Sequence, residues 1–226
     1  MKKEGKTSKK IEPNKMLVID KIIYYSSANA ISNTTNYQSP EWNLKVYQYT
    51  DIAIYVNRIN ALNEEEFPEY ITGVYLEDFE TDLKNSKLYY LNPNDFGNGI
   101  INLDSIIEDK LEYTVVNSEN DDNAQNYNIP IFFQDCSNPI TLRLVTELAN
   151  QYQVPNDHTL IYNGNLIKEL GLGINELNKR VKFDLIVVSK DSKHIKTISL
   201  EIPYEEGEKS IFDGDIKIEK IENIVF

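Results

Sequence analysis

The sequence predicts an all-β protein built as a sheet-on-sheet sandwich, and three observations carry that expectation. Apolar and polar residues alternate with a period of two along much of the chain, with Val, Ile and Tyr at the alternating positions. Dipeptides that close hairpins separate the alternating runs. Helical spacing is confined to two short segments.

The clearest alternation covers residues 44–57. Leu44, Val46, Gln48, Thr50, Ile52, Ile54 and Val56 share one face, and Lys45, Tyr47, Tyr49, Asp51, Ala53, Tyr55 and Asn57 share the other. Gln48 and Thr50 interrupt the apolar face, which predicts a bend or break near Thr50. Further strands are predicted at 18–25, 70–79, 87–91, 111–116, 129–134, 139–146, 159–163, 165–170, 180–189, 195–203 and 215–221. Asn163-Gly164 fits a two-residue type I′ turn because both positions tolerate positive φ, and Asp213-Gly214 is a second turn of that kind. Lys190-Asp191-Ser192-Lys193 reads as a longer hairpin loop, and Asn138-Pro139 leads into the strand that starts at Ile140. The helical candidates are Leu103, Ile106, Ile107 and Leu111, with Asp104 or Ser105 as N-cap, and Val145, Leu148, Ala149 and Tyr152.

The most polar stretch, 117–128, suggests a linker. The organisation expected is a basic tail at 1–15, an N-terminal β-sandwich half at 16–116, the linker, and a C-terminal half at 129–226. Two immunoglobulin-like halves in tandem and one large merged sandwich, each with one or two short helices, both fit this pattern.

Composition narrows function chiefly by exclusion. Across 226 residues the formal net charge is −13, a field that repels phosphate backbones, so nucleic acid is not expected as a partner. Lys2, Lys3, Lys6, Lys9, Lys10 and Lys15 concentrate basic charge in the tail and leave the acidic surplus in the remainder. The apolar run at Met16–Ile19 is far short of the roughly 7–15 residues of a secretory signal or the about 20 of a spanning helix. The default expectation is a cytoplasmic protein, or a surface-associated one if the N-terminus is incomplete. A single cysteine, Cys136, excludes an internal disulfide.

Chemical motifs are sparse. Cys136 with His158 or His194 could form a nucleophile–base pair only if the fold brought them together. Two histidines and one cysteine make a poor zinc set, and the oxygen-rich loops 92–99 and 119–122 do not follow the spacing of a calcium loop. Carboxylates at Glu77, Asp78 and Glu80, at 64–66, and at 205, 206 and 208 could pair for glycoside hydrolysis, but their abundance removes specificity. Gly171-Leu172-Gly173 is a turn rather than a phosphate loop. Aromatic content is the remaining signal. Trp42 with Tyr47, Tyr49 and Tyr55 could form a platform against which a sugar ring stacks, although alternating tyrosines are also ordinary cross-strand packing partners.

Several phrases carry a resemblance: Ile22-Ile23-Tyr24-Tyr25-Ser26-Ser27-Ala28-Asn29-Ala30, Trp42-Asn43-Leu44, and the run from Tyr49 to Val56. Leu88-Tyr89-Tyr90, Asp95-Phe96-Gly97, Asn138-Pro139-Ile140-Thr141-Leu142 and Ile211-Phe212-Asp213-Gly214 complete the set. Together they resemble an uncharacterised family of β-rich bacterial proteins, often membrane-anchored, with no assigned function. The resemblance implies a β fold and supplies no catalytic residue. Where such members carry an N-terminal anchor, this chain has its lysine-rich stretch.

The function expected from sequence is therefore a non-enzymatic binding or structural module acting through protein–protein contacts, with no cofactor and no metal. A carbohydrate-binding module using the aromatic sheet face is the alternative, and a hydrolase with paired carboxylates is a second.

Overall fold

A computed structural model describes residues 17–32, 42–58, 70–98, 106–107, 110–117, 129–154, 176–189, 193–202 and 216–225. These form eleven strands: β1 (Leu17–Ser32), β2 (Trp42–Arg58), β3 (Ile71–Thr81), β4 (Ser86–Tyr90), β5 (Ile106–Ile107) and β6 (Leu111–Val116), followed by β7 (Ile131–Phe133), β8 (Ile140–Val154), β9 (Arg180–Ser189), β10 (Lys193–Glu201) and β11 (Ile216–Val225). Sheet A has the order β11-β1-β2-β8-β4-β5, and sheet B has the order β10-β9-β3-β6-β7.

The all-β expectation holds. Sheet A and its opposing sheet B both interleave residues from either side of 117–128, with β2 pairing β8 and β3 pairing β9. One core cluster joins Ile22, Ile52 and Ile54 to Leu142, Leu144, Phe183 and Leu200. The strands on the two sides of 117–128 thus share a single core, which is the merged arrangement. Phe79 stacks on Phe183 with ring centroids 5.1 Å apart, and Tyr90 meets Tyr113 edge-on at 6.3 Å.

Several local expectations change. Residues 145–152 are not helical: they continue β8, and Ile140–Thr146 are buried without alternation. The backbone is extended throughout, so the helical spacing of Val145, Leu148, Ala149 and Tyr152 is a coincidence of sequence. The other helical candidate is also absent among the described residues, where Ile106–Ile107 pair with β4 and Leu111 opens β6. The described residues contain no α-helix, and a 3-10 turn spans Pro93–Asp95. The predicted turns at 163–164 and 213–214 and the strands at 159–163 and 165–170 lie outside the described residues. The β9–β10 hairpin pairs antiparallel without a slip, from Lys193↔Val188 to Glu201↔Arg180.

Strand β2 does not break at Thr50. Its ladder with β1 runs unshifted from Lys21↔Tyr55 to Ser32↔Leu44. Gln48 and Thr50 instead face the core and find polar partners there. Ser26 Oγ lies 3.0 Å from Thr50 Oγ1, while Asn178 N donates to Gln48 Oε1 and Gln48 Nε2 donates to Asn178 O, at 2.6 and 2.8 Å. Buried polar atoms are tolerated because they are paired.

Side-chain amides also complete sheet B. Where β6 stops at Val116, Gln134 takes over the pairing with β3: Ile71 N donates to Gln134 Oε1 at 3.2 Å, and Gln134 Nε2 donates to the Ile71 carbonyl. Asn138 does the same for β7, accepting from Phe133 N at 2.8 Å and donating to Ile131 O at 2.9 Å.

Candidate functional site

The most concentrated chemistry among the described residues lies on the face of sheet A turned away from the core. Cross-strand register places Tyr25, Asp51, Arg143 and Tyr89 in one row across β1, β2, β8 and β4. Alternation puts them there: Ile52, Leu142 and Leu144 point into the sandwich, so their neighbours Asp51 and Arg143 point out of it.

Asp51 is nonetheless fully buried and Arg143 is 5% exposed. Arg143 Nε donates to Asp51 Oδ1 at 2.5 Å and its NH2 donates to Oδ2 at 2.8 Å, a bidentate pair. The guanidinium lies 5.0 Å from the Tyr49 ring centroid. Residues 92–98 close over the row from the end of β4. Gly97 N donates to Asp51 Oδ2 at 2.7 Å, Arg143 NH2 donates to the Asp95 carbonyl at 3.3 Å, and Phe96 packs 6.5 Å from Tyr25. Gly97 has φ of 77°, where a side chain is strained, while Asn92 caps the turn by accepting from Asn94 N at 2.9 Å.

Burial pushes the Asp51 carboxyl above its ordinary range, and the Arg143 guanidinium and the Gly97 amide pull only partly against that rise. Three donors thus hold the Asp51 carboxyl, two from Arg143 and one from the loop at Gly97, and tie that loop to sheet A. Sequence reading did not single out Asp51 or Arg143. The signal was present: a charge in the middle of each of two apolar strands demands an opposite charge at the same depth.

The tyrosine face predicted from sequence is the same face, extended. Tyr47 and Tyr49 keep 4% of their exposure, with Tyr47 packed on Tyr89 and Val145 and Tyr49 packed 6.0 Å from Tyr25. Tyr55 is half-buried beneath Lys21, whose Nζ lies 4.6 Å from the ring centroid. The backbone of Trp42 opens β2 opposite Val154, and its side chain lies outside the described set. The fold therefore gathers Tyr47 and Tyr49 into a covered aromatic layer rather than into an exposed stacking surface. Glu147, opposite Tyr47, keeps Oε1 buried without a hydrogen-bond partner. Burial, with Glu147 adding to it, raises the Tyr47 hydroxyl pKa.

Other candidates are dispersed. Cys136 follows β7 with φ of 58° and is half-buried, while His194 is on β10, so the two occupy opposite edges of sheet B. Strand spacings of about 4.8 Å put that pair far beyond hydrogen-bond reach. His158 lies outside the described residues. Glu77 and Glu80 flank a bulge in which Asp78 has φ of 56°, and Glu80 is tied to Lys182 Nζ at 2.8 Å. The carboxylates at 64–66, 119–122, 205, 206 and 208 lie outside the described residues. Asp95, in the oxygen-rich loop, accepts from Asn98 Nδ2 at 2.9 Å. Among the described residues, no three Cys, His, Asp or Glu side chains gather to hold a metal, and no helix is long and apolar enough to cross a membrane. Comparison with protein-family models, with curated proteins and with solved structures found no match.

Proposed function

We propose that this protein is a non-enzymatic β-sandwich module acting through protein–protein contacts, and that the contact surface is the edge of sheet B at β10. The observation that carries the reading is the geometry of that edge. Among the described residues β10 is the terminal strand of its sheet, and it pairs with β9 along its whole length. Ile202 N donates to Lys179 O at 2.7 Å, just past the end of that ladder. In an antiparallel ladder the N–H and C=O of one residue point to the same side and alternate along the strand. The even-numbered residues therefore bond β9, and Lys193, Ile195, Thr197, Ser199 and Glu201 turn their backbone groups outward. All five are exposed, Ile195 at 54%. Such an edge suits an added strand, in which main-chain bonds supply affinity and alternate side chains supply selection.

Panning a displayed library of extended peptides on the immobilised chain tests this reading. Retained peptides should be released by Thr197→Pro, which removes an outward N–H without touching the β9 ladder. Peptides held equally by parent and variant would place the contact elsewhere. Glycan-array retention that is lost on replacing Tyr47 and Tyr49 with Ala would instead favour the carbohydrate-binding alternative, and turnover in a glycoside panel the hydrolase.

A further inference from the structure

We infer that the strand added at β10 is β10 of a second copy of this chain, paired antiparallel about a two-fold axis through Thr197. The inference rests on the reading of β10 as a binding edge and names its occupant. An isologous contact requires a surface complementary to itself. β10, with the sequence Lys193-His194-Ile195-Lys196-Thr197-Ile198-Ser199-Leu200-Glu201, meets that condition in one register.

With Thr197 on the axis, Lys193 falls opposite Glu201 of the second copy, and Glu201 opposite Lys193, so opposite charges meet at both ends of the ladder. Ile195 falls opposite Ser199, and Thr197 faces its own equivalent. All of these residues turn their backbone groups outward, so Thr197 and its equivalent form a pair that exchanges both main-chain bonds, as do the two Ile195–Ser199 pairs beside it, while Lys193 and Glu201 meet through their side chains. A register slipped by one residue sets outward-pointing groups against inward-pointing ones and separates the charges.

Lys193 Nζ lies 5.6 Å from the Tyr75 ring centroid, so its side chain exchanges that ring for Glu201 of the second copy when the edges pair. Lys193, Ile195, Thr197 and Glu201 lie on the face of the sheet away from the core, because Ile198 and Leu200 occupy the core face. Thr197 Oγ1 donates to Asp184 Oδ1 at 2.6 Å, which holds its side chain against β9 and leaves its backbone at the edge. The Glu201 carbonyl accepts the Tyr24 hydroxyl at 2.9 Å, which fixes the end of the strand to sheet A. Two chains of formal charge −13 repel at long range, so association depends on the local match of Lys193 with Glu201. A contact of one strand pair is smaller than a standard stable interface, so the dimer is a concentration-dependent one.

Sedimentation equilibrium on the full chain should show a reversible monomer–dimer equilibrium. Thr197→Pro removes the two central bonds and should weaken the dimer about thirtyfold. Lys193→Glu sets like charges opposite each other twice and should weaken it about tenfold, while Lys193→Glu with Glu201→Lys should restore it to within about threefold. Circular dichroism melts of each variant establish that it is folded, and the exposed charge variants keep the test open if the proline variant is not. A parent that stays monomeric up to its solubility limit, or a charge swap that fails to restore association, overturns the inference. A monomeric parent that still retains extended peptides at β10 removes the second copy and leaves the edge reading standing. A dimer indifferent to Thr197→Pro, with peptides still released by that variant, moves the self-contact elsewhere.

Discussion

Gln48 and Asn178, 130 residues apart in sequence, close a two-point hydrogen bond across the sandwich, with the Gln48 side-chain amide matched to the backbone N–H and C=O of Asn178. Asn178 then passes the connection on. Its Oδ1 accepts from Asp82 N at 3.2 Å, and its Nδ2 reaches Thr146 Oγ1 at 3.5 Å. Gln48→Ala would leave both backbone groups of a fully buried residue without these partners. The expected loss is about 2–4 kcal/mol, read as a lower urea midpoint with an unchanged slope.

The Asp51–Arg143 pair should behave as a unit. Arg143→Met strands a buried carboxylate and is expected to cost about 3–5 kcal/mol, whereas Asp51→Leu combined with Arg143→Met should recover most of that loss. A double-mutant cycle measured by chemical denaturation checks this prediction, and additive losses would contradict it.

Alkaline pH should unfold the protein through its buried phenols. Burial, with Asp95 nearby adding to it, pushes Tyr90 up to about 12 from 10.0, and burial raises the fully buried Tyr113 well above the same value. The folded state therefore holds these protons after the unfolded chain has released them. Stability from Tyr90 is complete below pH 10 and is lost as pH rises from there through about 12. Tyrosinate absorbance and circular dichroism should change together in that window, and Tyr90→Phe should shift the loss upward.

Asp51 carries the opposite dependence from an ordinary paired carboxylate. Its folded pKa is raised above 3.8, so the folded state takes up the proton first. Its contribution is fully present below pH 3.8, is lost as pH rises through the raised folded value, and is absent at higher pH. Relative to Asp51→Asn, the parent should therefore gain stability on acidification, as measured by denaturation at a series of pH values.

Glu147→Leu, which removes the unpartnered oxygen, should stabilise the fold. Oε1 is buried without a hydrogen-bond partner, and the residue as a whole is partly exposed, so the gain is expected at about 0.5–1 kcal/mol. A rise in Tm checks it.

The regular parts of the fold were legible because their sequence pattern follows from one-sided burial. β9 and β10 lay within two residues of their expected bounds, and β6 coincided with its expected range. β8 was half-legible: the run from Ile140 to Thr146 read as a strand, whereas Val145, Leu148, Ala149 and Tyr152 fall at helical spacing and carry no period-two pattern. Gln48 and Thr50 read as an interruption because their partners, Asn178 and Ser26, are distant in sequence. Tyr47, Tyr49 and Tyr55 alternate along β2 as the sequence pattern suggests. Packing brings Tyr47 to Tyr89 and Val145 and sets Tyr49 beside Tyr25, neighbours distant in sequence that leave no local signature.

The ladder between β1 and β11 joins the first and last described strands, from Val18↔Val225 to Ser26↔Ile216. About 190–207 residues separate its partners, so its formation carries the largest loop-closure entropy of any pairing among the described strands. Interactions of such high contact order slow folding and form late, after β2, β8 and their neighbours have nucleated the centre of sheet A. Until they form, the outer edge of β1 is an open template for misassociation. Refolding yield should therefore fall steeply with protein concentration, even though the finished fold is capped at that edge.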